Sequence, residues 1–225
     1  VSDEPPQIPL ELGIEPARGR SEFFVSEANE AALAALDDWP RWPGGKHVLI
    51  GPEGSGKTHL AHIWADAAGA RVVAAAELTE GDVPRLSDHG RVAVEDVPGL
   101  PAPAERALLH LHNLLAARHG SLLMTGRGAP PLWAIALPDL ASRVQAAGVA
   151  TLRPPDDALL AALLVKLFAD RQMKAPPALV NWLLPRMERS FAAAQRIVAR
   201  LDALTLAEGK PVSRSLAARV LAEAA

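Results

Sequence analysis

The chain has 225 residues, 49% hydrophobic and 22% charged, with 26 acidic against 23 basic residues and a formal net charge of −3. Such a balance suits a soluble globular protein and disfavours avid autonomous binding to duplex DNA, which Lys and Arg drive by displacing counterions. The absence of cysteine excludes disulfides and thiolate metal sites, and no apolar run approaches the roughly 20 residues that span a bilayer.

Residues 1–20 hold four prolines (Pro5, Pro6, Pro9, Pro16) and no sustained periodicity, and read as an extended arm; "VSDEPPQIPL" is too acidic and proline-broken for a secretory signal. "SEANEAALAALDDW" predicts a helix with Ser26 as N-cap and Ala28, Ala31, Ala32, Leu36 and Trp39 on one face. After the breaker "WPRWPGG", "KHVLIG" has the pattern of a buried strand. Short apolar segments follow at 71–75, 91–96, 120–126 and 148–152, separated by helical segments at 57–68 and 103–118. Strands separated by helices imply parallel crossovers, hence an α/β domain over 21–153 with its sheet covered on both faces. Beyond "RPPDD" the pattern turns helical, near 157–171, 177–187, 190–207 and 214–223, the last capped by Ser213. Residues 154–225 therefore read as a small all-α lid.

"LIGPEGSGKTHLA" satisfies G-x-x-x-x-G-K-[ST] through Gly51, Gly54, Gly56, Lys57 and Thr58, with Pro52, Glu53 and Ser55 between them. Glycines open backbone conformations closed to other residues, so successive N–H groups converge on phosphate oxygens. Lys57 can reach the outer phosphates, the Thr58 hydroxyl can ligate Mg²⁺, and the helix that follows adds its positive end. A chance match is expected in about 1 in 100 chains of this length, and the strand before and helix after supply the required context. ATP or ADP with Mg²⁺ is the ligand this implies. "RVAVED" ends a buried strand in Glu95 and Asp96, where one carboxylate can hold Mg²⁺-bound water and the other orient an attacking water. The seven histidines form no metal pattern, and no Ser/His/Asp arrangement can be argued.

Together these motifs resemble the AAA+ ATPases, and within them the branch of the bacterial replication initiator DnaA; the resemblance runs from about residue 7 to 223. That family carries Asp then Glu where this chain has Glu95 then Asp96. The swap displaces both carboxylates by about 1.5 Å, and misplacement of that order can cost ~100-fold in rate. The resemblance thus implies weak intrinsic hydrolysis. "LPDLASRV" is similar to the branch's arginine-finger segment, the match falling on Arg143; such a finger serves a neighbouring subunit's nucleotide. Over "MERSFAAAQRIVARLDAL" the resemblance puts Ala192 where the family has a phosphate-sensing arginine, with Arg189 or Arg196 as substitutes if the register slips by a turn. "SLLMTGRGAPP" resembles the first-sensor strand end, with Thr125 the nearest polar residue; "SEFFVSEAN" resembles the adenine-pocket segment, with Phe24 and Val25 on the base or, alternatively, in the core. "QIPLEL" offers an amide and spaced aliphatic anchors, Gln7, Ile8, Leu10 and Leu12, and resembles the short sliding-clamp-binding motif of the branch's regulatory members. No segment after the lid resembles the branch's DNA-reading helix-turn-helix.

What the resemblance implies is a cytoplasmic, nucleoid-associated regulator of replication initiation. Its expected partners are DnaA and the DNA polymerase III β sliding clamp, with DNA contacted through the clamp, no membrane, and possible homodimerisation. The rival is a self-oligomerising AAA+ ATPase that loads or remodels. A small-molecule kinase would need its lid inserted within the α/β part, whereas the helical segments follow it.

Overall fold

Side-chain alternation along the strands sets the layering. The computed structural model describes residues 24–223. Five strands, β1 (Lys46–Ile50), β2 (Arg71–Ala74), β3 (Arg91–Glu95), β4 (Ser121–Gly126) and β5 (Gly148–Thr151), form one parallel sheet in the order β2-β3-β4-β1-β5. Successive side chains point to opposite faces. Val48, Val92, Val94, Leu122 and Met124 therefore face one hydrophobic cluster, and Leu49, Ala93, Leu123 and Ala150 face another. The first lies under α3 (Val83–His89), α4 (Ala102–Ala117) and α5 (Pro138–Ala146), the second under α1 (Glu30–Asp37) and α2 (Lys57–Ala68). Both faces are covered, as near-continuous apolar strands of a parallel sheet require.

The remaining helices, α6 (Asp157–Asp170), α7 (Pro177–Leu183), α8 (Phe191–Glu208) and α9 (Arg214–Glu223), enclose a separate core around Leu160, Phe168, Leu183, Val198 and Ala217. Asp156 Oδ1 caps α6 by accepting from Leu159 N–H at 2.8 Å, and Ser190 Oγ caps α8 by accepting from Ala193 N–H at 3.1 Å. Ser213 Oγ accepts from Leu216 N–H at 3.3 Å at the start of α9. Among the described residues no helix is long and apolar enough to cross a membrane.

Several local expectations need correction. Ser26 starts a turn, its carbonyl accepting from Asn29 and Glu30, and Asn29 occupies the cap position of α1. The Asn29 side chain bonds backward to Ser26 N–H and Phe24 O, fixing that turn. The buried face of α1 is Ala32, Leu33 and Leu36; Ala31 is exposed. The helix expected over 177–187 ends at Leu183 because Pro185 has no N–H to donate to Asn181 O and so cannot continue the ladder. Two helices, α3 and α5, lie where no helical periodicity was read.

Candidate functional site: a phosphate cradle and a remote arginine

The loop after β1 owes its shape to backbone conformations that glycine permits. Gly54 (φ 67°) and Gly56 (φ 96°) are left-handed, and Gly51 N–H donates to Gly126 O at 3.3 Å, tying the loop to β4. A Cβ at Gly51 would meet Ser55 Oγ at 2.6 Å, so the turn tolerates no side chain there. Lys57 opens α2; its Nζ is buried and donates to Gly51 O (3.0 Å) and Pro52 O (2.8 Å). Burial lowers the proton affinity of Lys57, and the charge of Arg127 lowers it further against the opposing pull of Asp96, Glu53 and Glu95. Thr58, on the next position, is exposed.

Beside this loop β3 ends at Glu95, and Asp96 leaves the strand with φ 56°, a left-handed conformation that Asp tolerates better than most residues. Asp96 N–H donates to Thr125 Oγ1 at 3.1 Å, and Val97 N–H to Thr125 O at 2.9 Å. The buried Thr125 on β4 thus holds the turn that aims Asp96. Glu95 is half-buried: Oε2 lies 3.9 Å from His62 Nε2, while Oε1 is buried with no hydrogen-bond partner among the described residues. Ser55 Oγ in the loop is likewise buried and unpartnered. A buried polar atom without a partner costs about 1–3 kcal/mol. Unmet polar atoms in the loop after β1 and at the end of β3, beside a glycine turn and a helix start, suit an anion together with a hydrated cation. The residues present therefore fit a nucleotide phosphate chain and its Mg²⁺.

The helical part meets the loop directly. Phe191 N–H donates to Gly54 O at 3.0 Å, the Phe191 ring lies against Gly56, and a Cβ on Gly54 would collide with the Ser190 side chain. Ala192 is the second residue of α8 and so sits beside this contact. Arg189 pairs with Asp157 at 2.9 Å and Arg196 with Glu188 at 3.3 Å. Both candidate substitutes for a sensing arginine are thus engaged within the helical part.

Arg143 lies at the other end of the sheet. It occupies the last turn of α5, which leads through Ala147 into Gly148, the β5 residue paired with His47 at the start of β1. Its charge, with that of Lys46, is felt by the buried His112. The Arg143 side chain is exposed, and no hydrogen bond or ion pair to it occurs among the described residues. Since β1 spans Lys46–Ile50 at about 3.3 Å per residue, ~13 Å of strand separates the Arg143 end from the cradle. The helix that carries Arg143 is anchored by Glu105: this buried carboxylate accepts from Ala136 N–H and Leu137 N–H, both at 2.9 Å.

Three participants had not been singled out in the sequence: Glu105, His62 and Arg127. None is part of a local motif; each meets its partner across 31 or more positions of chain, and only folding brings them together. Phe24 and Val25 are exposed, which removes core packing as their alternative role. The expected anchors Gln7, Ile8, Leu10 and Leu12 lie outside the described residues.

No protein-family model matches the chain. Among solved structures, it is similar to domain III of the replication initiation protein DnaA from Thermotoga maritima, with a TM-score of 0.76 and 19% identity, over 92% of this chain and 97% of that one. It is also similar to AMPPCP-bound DnaA from Aquifex aeolicus (TM-score 0.67, 18% identity, covering 86% of this chain and 67% of that one). The Thermotoga maritima RuvB Holliday junction branch migration motor gives a TM-score of 0.70 at 18% identity, over 92% of this chain and 72% of that one. At such identities the shared property is the fold: a parallel sheet covered by helices on both faces, followed by a separate helical part.

Proposed function

We propose that this chain is a nucleotide-binding AAA+ regulator of chromosomal replication initiation of the Hda type, which docks on ATP–DnaA and lends it Arg143. The observation that carries the reading is the position of that arginine. It is exposed, unpaired among the described residues and ~13 Å of strand away from the chain's own cradle. A guanidinium so placed has no phosphate of its own to neutralise, and its charge is available to a neighbour's. In phosphoryl transfer a guanidinium at the reacting phosphate is worth 10³- to 10⁵-fold.

The cradle would hold ATP or ADP through backbone N–H groups of residues 53–58 and the Lys57 ammonium. The Thr58 hydroxyl and, through water, Glu95 would hold Mg²⁺. The metal would supply charge neutralisation between the phosphates. Because α8 is hydrogen-bonded to Gly54, a filled cradle would also fix the lid, keeping the docking geometry of the whole module. Self-hydrolysis is expected to be slow: the carboxylates stand in the order Glu95, Asp96, and no arginine stands in the first turn of α8, where Ala192 lies beside the loop. Gln7, Ile8, Leu10 and Leu12 would seat the arm in the sliding clamp, so that DNA is contacted through it.

The test is hydrolysis of radiolabelled ATP carried by DnaA, with and without this chain and DNA-loaded clamp. Hydrolysis is expected only when all are present, to be lost with Arg143→Ala, and to lose its clamp dependence with Gln7→Ala. The likeness to a branch migration motor favours one rival, an ATPase working in its own homo-oligomer. Substantial turnover by the chain alone, collapsing on both Lys57→Ala and Arg143→Ala, would establish that rival instead.

A further inference from the structure

The breaker "WPRWPGG" winds through two short 3₁₀ turns, Trp39–Arg41 and Pro43–Gly45, and borders a cavity of about 630 Å³ where β1, β3 and β4 begin. The cradle lies beyond the opposite ends of these strands, ~13 Å of β1 away. The floor of the cavity is backbone. A Cβ on Gly45 would meet Gly120 O at 2.5 Å, and one on Gly120 would meet Gly90 O at 2.5 Å, so the strand entrances close up only without side chains there. Gly44 O and Gly120 O accept from the buried Lys46 ammonium at 3.0 Å, and Gly90 O accepts from Ser121 N–H at 2.9 Å. The floor's oxygens are thus occupied, two of them by a positive charge.

The walls add charge of the same sign and a flat surface. Trp39 is half-buried, and the Arg91 guanidinium lies over its ring at 5.0 Å. Arg118, just past α4, also lines the space, as do His89 and His119. Among the described residues no carboxylate lines it, in a chain with 26 acidic residues against 23 basic. Each guanidinium is anchored through Nη1 alone. That of Arg91 donates to Ala68 O at 2.9 Å, and that of Arg118 to Ser87 Oγ at 3.0 Å and to the Asp88 carboxylate. Asp88 is largely exposed, so its pairing is screened. The other N–H groups of both arginines make no hydrogen bond among the described residues.

A volume of this size holds one small ligand. Open guanidinium N–H groups call for a group with several acceptor oxygens, and a Trp–Arg plate calls for a flat ring to stack on it. A nucleoside phosphate has both. We infer that this cavity is a second nucleotide site, remote from the cradle, in which a nucleobase stacks on the Trp39–Arg91 plate and the phosphate takes the open N–H groups of Arg118. The ligand is a free nucleoside phosphate or one unit of a single strand, since the chemistry is the same. The inference does not rest on what the cradle holds.

The test uses the full chain carrying Lys57→Ala, which removes the cradle's ammonium. It is titrated with AMP, oligothymidylate, inorganic phosphate and polyglutamate, by calorimetry and by tryptophan fluorescence. AMP or the oligothymidylate should bind and quench, with inorganic phosphate about 10-fold weaker or more. Added Trp39→Phe keeps a ring and should hold affinity within about 3-fold while most of the quenching is lost; Trp39→Ala should weaken binding about 10-fold. Arg118→Ala should also weaken it about 10-fold, with Arg118→Lys recovering part. For the strand, Arg118→Ala should in addition reduce the slope of log affinity against log salt by about 0.7. Ala116, exposed in the last turn of α4, lines the cavity, so Ala116→Glu should abolish binding and leave the thermal midpoint unchanged. AMP binding more tightly than the oligothymidylate assigns a free nucleotide, and the reverse assigns a strand; either supports the site. Phosphate as tight as AMP, polyglutamate competing equally well, no binding of either nucleotide form, or binding that survives Ala116→Glu would overturn it, and none of these bears on the cradle.

Discussion

The two ends of the sheet place cations by opposite means. At the cradle end the work is done by backbone: left-handed Gly54, Gly56 and Asp96, a lysine folded onto carbonyl oxygens, and buried oxygens left without partners. At the other end side chains do it. Lys46 is buried with Nζ on Gly44 O and Gly120 O, both at 3.0 Å, and its pKa is lowered by burial to about 8. His47 stacks on Trp42 at 4.8 Å, and Trp42 on Trp64 at 5.2 Å. Both ends leave buried polar atoms without partners among the described residues: Ser55 Oγ and Glu95 Oε1 at the cradle, both ring nitrogens of His47 and Nδ1 of His112 at the other. What differs is the backbone, left-handed at Gly54, Gly56 and Asp96 around the loop, against packed side chains beneath Arg143.

The largest way to sharpen that contrast is Arg143→Ala. We expect it to reduce DnaA hydrolysis in the clamp-dependent assay by 10³-fold or more while the thermal midpoint stays within a degree or so of the parent, since the side chain is exposed. A drop in the midpoint comparable to a core mutation would make Arg143 a structural residue.

Next in size is His112. Its pKa is lowered from 6.5 to about 4 by burial first, then by Lys46 and Arg143. The folded protein therefore resists protonation at His112 until about pH 4, whereas the unfolded chain takes up the proton near 6.5. The stability this residue allows is fully present above 6.5 and is lost as pH falls towards 4, by about 3 kcal/mol. Urea denaturation of His112→Leu across that range should show a correspondingly flatter acid limb. An acid limb as steep as the parent's would show that other groups carry it.

Glu105→Ala should follow, at about 2 kcal/mol, because it strips two backbone N–H groups at the start of α5 of their acceptor. It should also lower Arg143-dependent stimulation without affecting nucleotide affinity, a split that a general loss of stability would not produce. The smallest effect on global stability, about 1 to 2 kcal/mol, is expected for Gly54→Ala. There the left-handed backbone and the nearby Ser190 both resist a methyl group. Its signature is local: faster hydrogen exchange at Phe191, whose N–H loses Gly54 O.

The cradle was legible because its chemistry is written locally: a glycine spacing, a lysine and a hydroxyl consecutive in the chain. The five strands were legible from apolar runs bounded by breakers, and α4 from Leu108, Leu111 and Leu115 in helical register. The helix α3 escaped because it is only seven residues long and carries Pro84 in its first turn, too short for a period to declare itself. In the same way α5 buries only Leu140 and Val144, so its polar remainder looks like loop. Ser26 looked like a cap because its residue type suits one, but the Asn29 amide bonds to both Ser26 and Phe24 and moves the helix start three residues on. Arg127 and Glu53 are separated by 74 positions, and no one-dimensional pattern pairs them.

The hydrogen bond from Phe191 to Gly54, with the Ser190 and Phe191 side chains against the same glycines, links the tilt of the helical part to the contour of the loop. A partner that levers the small domain would thereby alter the grip on whatever the loop contains, and an exchange of occupant would re-aim the small domain in return. By the reciprocity of coupled equilibria both effects would share one free energy, so on the proposed function release of a nucleotide and release of a partner would be two readings of the same event.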